Sequence, residues 1–114
     1  MRVEATSARR LSTPAFPVDA EALAAFCRGR GIARLAIFGS AVRSDFGPES
    51  DVDVMIDFSS PEARPRGWRY FGLGDEIAEV LCPGRRVDWS ERTLLRPHVR
   101  VRAEAEAITL HAAP

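Results

Sequence analysis

Two hydrophobic periods alternate along this chain, and their order describes a layered fold. Residues 20 to about 30 place Leu23, Phe26 and Cys27 on one helical face, with Asp19 ready to cap the first turn and Gly29 and Gly31 marking the end. "ARLAIFG", residues 33–39, is a short apolar run of the kind that fills a buried strand. Gly39-Ser40 opens a helical turn, and "DFGPES" reads as a loop broken at Gly47-Pro48. "DVDVMIDF", residues 51–58, alternates strictly, with Val52, Val54, Ile56 and Phe58 on one face and the acids with Met55 on the other. A proline-broken loop, 59–67, leads to a helix over 68–81 that carries Leu73, Ile77, Val80 and Leu81 at helical spacing. "PGRRVDWS" supplies a turn and a short strand. Pro97 suits the first turn of a last helix whose apolar stripe is Val101, Ala105 and Ile108.

The pattern predicts the order αβαβαβα, an α+β arrangement with a short three-stranded sheet and about four helices. The first two strands are linked too briefly for a parallel crossover, which usually needs a dozen or more residues, so the sheet is expected to be mixed. Residues 1–17, rich in Arg, Ser and Thr, read as a flexible extension, and 18–114 as one domain. A chain of 114 residues has room for a single modest core.

Charge narrows the function. Sixteen basic and sixteen acidic residues cancel, so neither broad nucleic-acid binding nor attraction to an anionic membrane is expected. Every basic residue is arginine, which excludes a lysine nucleophile or Schiff base and leaves guanidinium groups to clamp phosphates. Cys27 and Cys82 lack metal-ligand spacing and read as buried free thiols. No apolar stretch reaches membrane-span length, and the start lacks the apolar core of a secretory signal, so a cytoplasmic location is expected.

The chemistry concentrates in "FGSAVRSDFGPESDVDVMIDF", residues 38–58. Residues two apart on a strand lie roughly 6.5–7 Å apart on the same face, so Asp51 and Asp53 can reach one ion or an adjacent pair. Oxygen ligands favour Mg²⁺ or Mn²⁺ over Zn²⁺, and a two-metal site usually takes a third carboxylate, which Asp88 in "RRVDWS" offers. Upstream, the Gly39-Ser40 turn can present backbone N–H groups to an anion, and the Ser40 hydroxyl and Arg43 can add contacts to the same phosphate. An isolated acid-x-acid pair is more often a solvated strand face, and Asp57 is assigned to that reading. A phosphate cradle joined by a short loop to a metal-binding pair describes a nucleoside triphosphate site.

The run "GSAVRSDFGPESDVDVMIDF" resembles the signature of the DNA polymerase β-like nucleotidyltransferases, Gly-Ser followed ten residues later by Asp-x-Asp. Within that superfamily it is similar to the minimal nucleotidyltransferases, the MNT antitoxins of HEPN/MNT toxin–antitoxin pairs. The likeness continues through "GLGDEIAEVLCPGRRVDW" and "LLRPHVRVRAEAEAI" and covers about residues 32–110. The resemblance implies the nucleotidyltransferase fold, with Asp51, Asp53 and Asp88 holding two Mg²⁺ ions and Asp88 helping to deprotonate the acceptor. It further implies that Gly39 and Ser40, with Arg43, contact the triphosphate. The implied reaction moves AMP from ATP to a tyrosine hydroxyl of a partner HEPN ribonuclease, silencing it. Neutralisation by occlusion, or transfer to a small-molecule hydroxyl, are the alternatives.

Other features have plainer expectations. Arg64, Arg66, Arg69, Arg85 and Arg86 read as solvated surface, as do the Arg100–Glu104 and Arg102–Glu106 spacings of the last helix. Trp68, Tyr70 and Phe71 read as core, with partner contact or base stacking as the alternative. His98 and His111 stand alone and take no role.

Overall fold

The structure, a computed structural model, describes residues 10–12, 16–43 and 45–113. The rest of the expected N-terminal extension lies outside the described residues. Strand β1 (Arg10–Ser12) pairs antiparallel with β2 (Pro17–Asp19), Leu11 opposite Val18.

Asp19 ends β2 and caps helix α1 (Ala20–Arg30), accepting from the Ala22 N–H at 3.1 Å. The helix stops at Gly31, whose left-handed backbone lets its N–H return to the last carbonyls. Strand β3 (Ile32–Phe38) follows, then a single 3-10 turn over Gly39–Val42, and then strand β4 (Val52–Phe58). Helix α2 (Trp68–Leu81) carries the chain across to β5 (Val87–Glu91). Helix α3 (Pro97–Glu106) begins on its proline, as the sequence indicates.

The sheet is mixed, as the short β3–β4 link requires, with strand order β5-β4-β3-β6. β3 and β4 are antiparallel, while β4 and β5, separated by the α2 crossover, are parallel. The fourth strand, β6 (Ile108–Ala112), begins at Ile108, which the sequence pattern places on the last helix. Ala107 takes an extended backbone instead, and Ile108–Ala112 pairs antiparallel with β3, Leu35 opposite His111. A strand this short reads as one more helical turn until a sheet edge is there to receive it. The change of direction also removes the expected stripe: Val101 is exposed, and Ala103 is the buried residue of α3.

The strict alternation of β4 divides the core. Val52, Val54 and Ile56 join Leu35, Ile37, Leu23, Leu73, Ile77 and Leu81 beneath α1 and α2. Met55, on the opposite face, packs with Ala36 and Ala103 under α3. Gly74 has a packing reason within α2, because a Cβ there would stand 3.0 Å from Trp89 Cδ1. Cys27 and Cys82 are buried free thiols, pushed up to about 12 and about 11 by burial. Among the described residues no helix is long and apolar enough to cross a membrane.

Candidate active site

The acids face the side of the sheet that α3 only partly covers. Parallel pairing of β4 with β5 sets Asp53 opposite Asp88, with Val52 opposite Val87 and Val54 opposite Trp89. On its other side Asp53 is the register partner of Phe38, the last residue before the Gly39–Val42 turn. The sheet thus brings Asp88, Asp53 and the Gly39-Ser40 turn side by side from three separate strands.

Gly39 has φ +70°, and a Cβ there would run into the Asp53 carboxylate, so both backbone and space require glycine. Burial is the main cause that raises the Asp53 carboxyl above its usual range; the charges of Asp88 and Asp51 add to this, and Arg43 opposes it. Asp53 is thus partly buried beside the like charges of Asp88 and Asp51. An all-oxygen donor set carrying excess negative charge fits a hard divalent cation.

Two further contacts belong to this site. Asp51 accepts from the Arg86 Nε–H at 3.1 Å, and a terminal guanidinium nitrogen of Arg86 is ion-paired to the same oxygen at 3.0 Å. Among the described residues no three or more His, Cys, Asp and Glu side chains are drawn together as a ready ligand set. The second contact comes from Glu106, at the end of α3. Its Oε2 accepts from the Gly39 N–H at 2.7 Å, and its Oε1 accepts from Arg43 at 2.9 Å. Arg43 also lies 3.5 Å from Asp45. The Gly39 N–H and the Arg43 guanidinium, the donors expected to meet a phosphate, are thus both bonded to the Glu106 carboxylate. The turn itself is four residues of 3-10 helix rather than the start of an α-helix, so it supplies local N–H groups and no macrodipole.

Glu106 is the residue that sequence reasoning missed. Its spacing from Arg102 suggested a solvated helical pair, whereas its partner Gly39 lies 67 positions away. Glu104 likewise bonds Arg92, at 2.9 Å, rather than Arg100. Arg92 in turn holds both carboxylate oxygens of Asp57 at 3.0 Å, so Asp57 is not a solvated acid but one end of a brace from β4 to α3.

Among the other arginines read as surface, Arg66, Arg69 and Arg86 are exposed, while Arg64 and Arg85 make contacts that the surface reading did not include. Arg64 is half exposed, yet it binds the buried Glu91 through two bonds of 2.9 and 2.8 Å, and the Tyr70 hydroxyl donates to the same carboxylate at 2.9 Å. Arg85 stacks on Phe46 and donates to the Gly47 carbonyl, bracing the loop ahead of Asp51. Trp68 and Phe71 are not core: each is 82% exposed, while Tyr70 packs against Trp89.

A mixed sheet that sets an acid-x-acid strand beside a glycine-serine turn and a third aspartate defines a nucleotide-transferring class of protein. A match to the nucleotidyltransferase domain family over residues 20–110 shows that the chain belongs to that family. Among solved structures it is similar to one described as a minimal nucleotidyltransferase, with 28% identity, 95% of each chain covered and a TM-score of 0.60. It shares the fold of a toxin–antitoxin structure containing AMP-PNP, at 15% identity and a TM-score of 0.61 over 84% of this chain and 75% of that one. No curated protein matches the chain.

Proposed function

We propose that this nucleotidyltransferase moves AMP from ATP to a tyrosine hydroxyl of a HEPN ribonuclease partner and so acts as its antitoxin. The observation that carries the reading is the placement of Asp53, with Asp88 opposite it across β4–β5 and the Gly39 turn against its carboxylate. Asp51, Asp53 and Asp88 would hold the divalent cations, which would neutralise phosphate charge as pyrophosphate leaves. The Ser40 hydroxyl and the Gly39 turn orient the triphosphate. Asp88 accepts the proton of the acceptor hydroxyl, whose oxygen attacks the α-phosphorus while the bond to pyrophosphate breaks. The toxin–antitoxin neighbour, of the same fold and solved with AMP-PNP, supports both the nucleotide and the partner.

The test is transfer of label from α-labelled ATP with Mg²⁺ to the co-expressed partner, with the acceptor located by mass spectrometry. Asp51→Asn/Asp53→Asn is expected to abolish labelling; labelling at the wild-type level would remove the metal mechanism. A second reading, neutralisation by occlusion, is favoured by the exposed Trp68 and Phe71, which offer a partner apolar surface. On that reading, the double variant still protects cells from the toxin.

A further inference from the structure

Glu106 makes the two bonds that a phosphate would make. One carboxylate oxygen takes the Gly39 N–H at 2.7 Å and the other takes the Arg43 guanidinium at 2.9 Å. A backbone N–H in a glycine turn and an arginine fork are also the donors from which a triphosphate cradle is built. The same donors cannot serve both anions fully.

We propose that Glu106 is an internal stand-in for a nucleotide phosphate, and that triphosphate binding exchanges it off Gly39 and Arg43. The proposal rests on the nucleotidyltransferase reading above and adds a gate to that site.

Three features make exchange feasible without unfolding. The Glu106 side chain is 31% exposed, so its carboxylate has water to move into. It is the last residue of α3, and the extended Ala107 follows, so no helical hydrogen bond beyond it depends on where the side chain points. The helix keeps its other anchors: Ala103 stays packed with Ala36 and Met55, and Glu104 stays on Arg92, which holds Asp57. Releasing Glu106 therefore frees one side chain and leaves α3 in place.

The competition has a chemical signature. It penalises only ligands whose phosphates reach the cradle, so it raises the threshold for a triphosphate and leaves AMP unaffected. Glu106→Gln keeps an acceptor for the Gly39 N–H but loses the charge that holds Arg43, so it weakens the stand-in without emptying the space.

The experiment is calorimetric titration of the full chain with AMP-PNP and with AMP, both in Mg²⁺, using wild type, Glu106→Gln and Glu106→Ala. Both variants are expected to bind AMP-PNP roughly five- to tenfold more tightly, the difference between a charge-assisted and a neutral hydrogen bond, with AMP unchanged. Adding Arg43→Ala to Glu106→Gln is expected to remove that gain. If wild type binds AMP-PNP and neither variant binds it more tightly, the proposal fails, and Glu106 is a permanent brace of the turn. A gain shared equally by AMP would also overturn it, marking general loosening of the site. If no form binds AMP-PNP, the proposed AMP transfer itself falls and takes this proposal with it.

Discussion

The carboxylate of Asp53 lies directly behind the α-carbon of Gly39, so close that no side chain fits between them. Strand and turn come from different parts of the chain, yet each dictates the other's residue. The turn needs φ +70° at position 39, and the strand needs position 39 to have no Cβ.

Gly39→Ala is therefore expected to damage the site beyond its effect on the fold. The left-handed backbone alone costs a non-glycine residue about 1–2 kcal/mol, and relief of the collision has to move Asp53. Thermal denaturation should show a loss of that order. AMP-PNP binding in Mg²⁺ should fall by about tenfold or more in protein that is still folded at the assay temperature.

Glu91 gives a prediction about stability. It is buried, and its charge is met by Arg64 and by the Tyr70 hydroxyl. Arg64→Ala takes away the charged partner and leaves the Glu91 carboxylate buried, so it is expected to lower the denaturant midpoint of unfolding. Tyr70→Phe removes one hydrogen bond to a carboxylate, about 1–2 kcal/mol. Because both act on one carboxylate, the double variant should depart from additivity in a denaturant-unfolding cycle.

His111 sets a pH dependence. Burial, its largest influence, and then the Arg28 charge hold its pKa below the ordinary 6.5, against the pull of the Ile32 backbone. Its Nε2 is buried without a hydrogen-bond partner. A folded pKa below the unfolded value means that the unfolded chain takes up the proton first. Stability is then complete above pH 6.5 and declines as pH falls from there through the lowered folded value. Melting temperatures measured between pH 5 and 8 should show this slope, and His111→Gln should flatten it.

Much of the fold was legible because its signals are local. The Asp19 cap, the α1 and α2 faces, the alternation of β4 and Pro97 at the start of α3 depend on residues within a turn or two of one another. Where a partner lies far along the chain, local spacing misled. Local spacing assigns Asp57 to a solvated strand face, whereas its partner Arg92 lies 35 positions away. The Glu104 and Glu106 spacings suggested pairs along the helix, whereas their partners sit on other elements. Trp68 and Phe71 were assigned to the core by their apolarity, although α2 turns them outward at its first turns.

By itself the sequence determined the mixed order of strands and helices, the acid-x-acid strand and the glycine-serine turn, since periodicity and short-range turn chemistry are written in neighbouring residues. Only the tertiary structure decided what those groups meet: the pairing of Asp53 with Asp88, the addition of β6, and the arrival of Glu106 at Gly39 and Arg43. Strand register and helix docking are choices among contacts distant in the chain, and they are made by burying one face of each element against the others.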